Sequence, residues 1–122
     1  MQRACKGRPA IFFPGMDGDG FGRAARLVGR PWTLGIVRAL LAGPRRFSEL
    51  KASVPGVTDR VLCGRLKELE AKGIVLRRVV AGRPVRVEYG LTPKGLGLAG
   101  AIRALEAWAQ AWEGGFLGRD EP

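Results

Sequence analysis

Two cysteines, two aspartates among glycines and a dense set of arginines are the residues of this chain that could carry chemistry. There is no histidine. Asp17 and Asp19 sit within "FFPGMDGDGFG", a spacing like the start of a calcium loop, but the remaining oxygen ligands and a closing Glu are absent. Cys5 and Cys63 are too far apart for a zinc-ligand pattern and too few for a secreted disulfide framework. No carboxylate pair sits in an evident apolar cleft, and no Gly-rich phosphate loop lies between a strand and a helix. The expectation is therefore no enzyme, no metal and no cofactor. What remains is positive charge: 21 Lys and Arg oppose 11 Asp and Glu, a formal +10. Between Arg30 and Thr92 thirteen basic residues face five acids, so the excess lies in the organised part of the chain. Such a field favours a polyanionic partner, nucleic acid first, because each neutralised phosphate releases counterions.

The elements that must position those charges run from Trp32 to Thr92. "PWTLGIVRALLAG" carries a helical stripe of Trp32, Ile36, Val37, Leu40 and Leu41 that ends at Gly43-Pro44. Pro31 suits the first turn of that helix, and the Trp32 ring is expected to pack in the core. "RFSELKASV" predicts a short helix over 46–53, anchored by Phe47 and Leu50, with Arg45 and Arg46 at its positive end. Those two arginines do nothing for the helix dipole there, and their placement is easier to understand beside a phosphate. "VPGVT" turns the chain. Thr58 is the expected N-cap of a long helix over 58–72, with Asp59 in its first turn. Leu62, Leu66 and Leu69 must share the core face, which leaves Asp59, Arg60, Cys63, Gly64 and Lys67 on the outward arc. Lys72-Gly73 closes the helix.

Ile74–Val80 and Val85–Leu91 read as a hairpin, with Val85, Val87 and Tyr89 on one face and Arg86 and Glu88 on the other. "AGRP" is its turn, and Arg83 at the tip, with Arg86, suits a narrow, negative minor groove. Thr92 and Pro93 start a last helix whose seam is Leu98, Ile102, Leu105, Ala109 and Trp112, widened by Trp108. So apolar a surface predicts a second subunit, and Phe21, in a short helix over 21–28, is a further candidate for that contact. The fold class is mainly α with a small β-hairpin wing: a winged helix-turn-helix with added N- and C-terminal dimerisation helices. Residues 1–20 are expected to form an irregular arm, 21–113 the DNA-binding and dimerisation domain, and 114–122 a flexible tail. No apolar run is long enough to span a bilayer and no secretory signal is evident, so a cytoplasmic protein is expected.

These residues resemble the HxlR-type bacterial transcriptional regulators, a branch of winged-helix proteins related to the MarR group. The landmarks are Gly29 with Trp32-Thr33-Leu34, "RFSEL" at 46–50, "PGVT" at 55–58, "RLKELEAKGIV" at 65–75 and "RVEYGLTPKG" at 86–95. The resemblance implies a homodimer on double-stranded operator DNA, bound at a palindromic site. By position, Thr58, Arg60, Cys63 and Lys67 belong in or beside the reading helix, and Arg83 and Arg86 to the wing. It also implies that some members sense oxidants or electrophiles through a cysteine before the first helix, for which Cys5 is the counterpart, although it lies unusually far upstream. Cys63 is a second redox candidate, since nearby arginines can stabilise a thiolate. An unknown small-molecule effector is a further expected partner. Here Pro31 replaces a common lysine, Gly64 a longer polar side chain, and Val85 a second wing proline. The rival readings are a winged-helix protein-interaction module using Trp108 and Trp112, and a non-specific architectural DNA-binding protein.

Overall fold

The computed structural model describes residues 19–114, which divide into two units between Pro31 and Trp32. Cys5, Asp17 and nearly all of the expected arm and tail lie outside the described residues. The first unit contributes one helix, α1 (Gly20–Val28). Asp19 caps it: its Oδ1 accepts the Gly22 N–H at 2.7 Å, so this carboxylate serves the helix end. Phe21 is exposed on α1.

The second unit begins with a departure from expectation. Helix α2 is Thr33–Leu40, and Pro31 lies in the turn before it. Trp32 is the N-cap, with a left-handed φ of 75° and 39% exposure, and it is not a core residue. The core positions of α2 are Thr33, Ile36, Val37 and Leu40. Periodicity extends the stripe back to Trp32 because it cannot register a reversal of the chain at the cap. What holds the ring is Gly56, itself at φ 94°: a Cβ there would come within 3.2 Å of the Trp32 Cη2.

Strand β1 (Arg45–Arg46) leads directly into α3 (Phe47–Ser53), and a turn leads to α4 (Asp59–Ala71). Strands β2 (Val75–Val80) and β3 (Arg86–Leu91) form the wing. The sheet is antiparallel in the order β1-β3-β2, so the expected hairpin is in fact three-stranded. Arg45 pairs with Tyr89 and Arg46 with Glu88; Val75 pairs with Leu91 and Val80 with Arg86. Val85 falls outside β3 and is exposed in the turn, and burial does not alternate along the strand as expected: Glu88 is half-buried, like Val87 and Tyr89. Leu50, Leu62, Leu66, Leu69 and Ile74 fill the core beneath α2 and the sheet base.

The last helix is not continuous. It divides into α5 (Pro93–Leu96) and α6 (Ala99–Ala109), with Gln110–Gly114 as a π-helical turn. A Cβ on Gly95 would collide with the Ile74 carbonyl, so α5 is pinned against the start of β2, and Gly97 ends it. Thr92 makes the joint. Its N–H donates to the Ile74 carbonyl at 3.0 Å, and its Oγ1 accepts the Gly95 N–H at 3.1 Å while lying 2.5 Å from the Gly73 carbonyl oxygen. Ile102 is the buried residue of α6, and Glu106 of α6 pairs with Arg38 of α2. No described helix is long and apolar enough to cross a membrane.

Gly56→Ala should destabilise the fold by about 1–3 kcal/mol, since it combines a left-handed φ with a contact against an aromatic ring. Thermal or urea unfolding reads the loss; an unchanged midpoint would show that the Trp32 cap is not held by this turn.

Candidate nucleic-acid interface

The candidate interface is built around α4, and both ends of that helix are fixed. At its start the Thr58 Oγ1 accepts the Val61 N–H at 3.2 Å. At its end Gly73, at φ 75°, donates to the Glu70 carbonyl at 3.0 Å and Ile74 to the Leu69 carbonyl at 2.9 Å, the paired bonds of a Schellman closure. The Lys94 ammonium donates to the Lys72 carbonyl at 2.9 Å, satisfying another terminal acceptor. Between these ends Leu62, Leu66 and Leu69 are buried, as their spacing required. Arg60, Cys63 and Lys67 are exposed together on the opposite arc, at positions i, i+3 and i+7.

Other expected site residues also hold the fold together. Asp59 pairs with Lys51 of α3 at 2.8 Å, clasping the short helix to the start of α4. Both side chains are well exposed, so the pair contributes little to stability. Gly64 is half-exposed, and a Cβ there would meet nothing within 4 Å. Packing therefore does not require a glycine on this arc. Arg65 is different: it is largely covered, lies 3.8 Å from Glu68 and is not on the outward arc.

Arg45 and Arg46 do not sit alike. Arg46 is the exposed N-cap of α3, and its N–H is accepted by the Glu49 carboxylate at 2.8 Å. Arg45 is half-buried in β1, with its Nε enclosed and without a hydrogen-bond acceptor among the described residues. Arg83 is exposed in the wing turn. Arg86 lies 3.6 Å from Glu88, which Arg78 also approaches at 3.4 Å. Sequence alone does not single out Arg78, because its cross-strand position opposite Glu88 depends on a register that composition does not reveal. Cys63 is a free, exposed thiol.

The dimerisation candidates fall into two sets. Leu98, Ile102 and Ala109 are covered or half-covered, whereas Leu105, Trp108 at 57% and Trp112 at 69% are exposed. One face of α6 thus serves its own unit through Ile102, and a second apolar face is open.

A capped helix with a basic outward arc, preceded by a short helix and followed by a two-stranded wing, defines a winged helix-turn-helix protein. The family model described as HxlR-like helix-turn-helix matches residues 27–115. In Bacillus subtilis, the uncharacterized HTH-type transcriptional regulator YvaP is 45% identical over 92 residues, covering 75% of this chain and 85% of that one. The HTH-type transcriptional regulator YodB, from the same organism, is 41% identical over 86 residues, covering 70% and 77%. The reduced form of YodB superposes with a TM-score of 0.70 at 35% identity, over 84% of this chain and 96% of that one. Quinone-bound YodB superposes with a TM-score of 0.65 at 37% identity, over 74% and 94%. The chain belongs to the HxlR-like helix-turn-helix family of DNA-binding transcriptional regulators, and it is not an enzyme.

Gly64→Ala should raise stability by about 0.5–1 kcal/mol, because the methyl enters open space on a helix. Thermal unfolding checks this; a lower midpoint would mean that the backbone at Gly64 packs against something.

Proposed function

We propose that the chain acts as a homodimer that binds double-stranded DNA sequence-specifically and regulates transcription at a palindromic operator. The observation that carries this reading is the division of α4: its leucines are buried and Arg60, Cys63 and Lys67 stand together outside. In this reading α4 enters the major groove. Arg60 and Lys67 reach guanine edges, while Thr58, Asp59, Cys63 and Gly64 shape the approach. Arg45 and Arg46 hold the phosphate backbone at the start of α3. Arg83 and Arg86 follow the adjacent minor groove.

The second copy docks on the open face of α6 through Leu105, Trp108 and Trp112, with half-covered Leu98 and Ala109 at its margin; Ile102 is spent on its own core, and Phe21, exposed on α1, is a separate candidate contact. A two-fold dimer sets two reading helices on one duplex, and operator symmetry follows from protein symmetry. The regulator responds to an oxidant or electrophile through Cys5 or Cys63. Exposure of the Cys63 thiol on the reading arc supports this, as does the relative YodB, whose structures include quinone-bound and diamide-treated forms. No observation favours the protein-interaction module over this reading.

Arg60→Ala should weaken operator binding by about 1–3 kcal/mol while leaving random-sequence DNA nearly unaffected. Equal losses on both sequences, measured by fluorescence anisotropy, would make Arg60 a backbone contact. Arg83→Ala should reduce the slope of log affinity against log salt by about one unit for each phosphate that Arg83 neutralises. An unchanged slope would remove Arg83 from the interface. For the thiols, peroxide should release DNA from the wild type and fail to do so in Cys5→Ser or Cys63→Ser. Release persisting in both variants would sink the redox response.

A further inference from the structure

Strand β3 runs between two strands that each bring a pair of arginines to the same register. At the root of the wing, Arg46 of β1 stands opposite Glu88 on one side and Arg78 of β2 on the other. One residue on, Arg45 and Arg77 flank Tyr89 in the same way. Residues directly opposite in an antiparallel pair share a face, so the two rows lie on opposite faces of the sheet. Arg86 joins the first row, two residues before Glu88 on β3. Five guanidinium groups, those of Arg45, Arg46, Arg77, Arg78 and Arg86, thus girdle the wing root, and Glu88 is the one carboxylate within these rows.

Glu88 serves two of them at once. Its Oε1 lies 3.4 Å from Arg78 and its Oε2 3.6 Å from Arg86, so each carboxylate oxygen faces one guanidinium. The Glu88 side chain is only 20% exposed, whereas those of Arg78 and Arg86 are 59% and 48% exposed. The carboxylate is largely covered, while both cations stay open to a larger anion. Pairs this open to solvent contribute about 0–1 kcal/mol to stability. Fold stability therefore does not account for the arrangement.

We propose that Glu88 is a built-in counter-ion that limits how tightly the wing root grips the phosphate backbone of double-stranded DNA. A phosphate approaching Arg78 or Arg86 meets a guanidinium already neutralised in part, with a fixed negative charge beside it. The girdle then displaces fewer counterions than five unpaired arginines would, and non-specific affinity depends on that release. The inference rests on the proposed DNA-binding reading for its partner, and it adds Arg78 and Glu88 to the groups that set the affinity.

The test compares the wild type with Glu88→Gln, which keeps the shape of the side chain and removes its charge. Binding to random-sequence duplex DNA is measured against salt by fluorescence anisotropy, and retention on immobilised heparin is measured alongside. Glu88→Gln should bind random DNA about fivefold more tightly at near-physiological salt, with the slope of log affinity against log salt steeper by about one. It should also leave heparin at higher salt. Glu113→Gln removes an equal charge from an exposed position in the π-helical turn, and both readouts should stay near wild type. Arg78→Gln on the Glu88→Gln background should return both readouts toward wild type, which a purely structural role for Glu88 would not give. A Glu88→Gln protein that gains no more than Glu113→Gln, on DNA and on heparin, would overturn the proposal. Heparin keeps the two readings apart: a wild type that binds no duplex removes the DNA-binding reading, while the heparin comparison still decides for or against Glu88.

Discussion

Helix α4 has to bury Leu62, Leu66 and Leu69, and most of this structure can be traced to that requirement. Each fully buried leucine contributes about 1.5–3 kcal/mol, so rotating the helix to hide its arginine or lysine would forfeit far more than any surface ion pair returns. The rotation of the helix is thereby fixed, and with it the outward placement of Arg60, Cys63 and Lys67. Thr58 and Gly73 then fix where the helix starts and stops. Lys51 and Asp59 form an exposed pair between α3 and the start of α4.

The two ends of the motif are closed by contacts in which a side chain is missing. Gly56 admits the Trp32 ring, and Gly95 admits the Ile74 carbonyl. The first sets the entry into α2, the second holds the start of β2 against α5. Thr92 joins these parts by satisfying backbone groups from α5 and from the turn after α4. The wing and the last helix therefore start from one hydrogen-bonded joint beside the end of α4.

Legibility in the sequence follows the range of the interactions. Helix α4, its Thr58 cap and its Gly73 stop depend on residues three or four apart, and the pattern contains them all. The basic arc is legible for the same reason. Strand β1 is not: two arginines have no strand signature, and they become a strand only because β3 lies alongside. Periodicity misplaces Trp32 because its left-handed backbone is sustained from Gly56, far along the chain. The break after α5 is hidden likewise, since the reason for Gly95 is a carbonyl in another element. Arg83 and Arg86 stand out by composition, whereas the sharing of Glu88 between Arg78 and Arg86 requires the strand register.

The central claim is that the outward arc of α4 reads DNA as one of a symmetric pair. Recovery and sequencing of genomic fragments bound by the purified protein, at near-physiological salt, tests it most directly. The account predicts an enriched palindrome whose half-sites are separated by about one or two helical turns, roughly 10 or 21 base pairs between centres. Broad, salt-labile recovery with no shared motif, or no recovery at all, would contradict it.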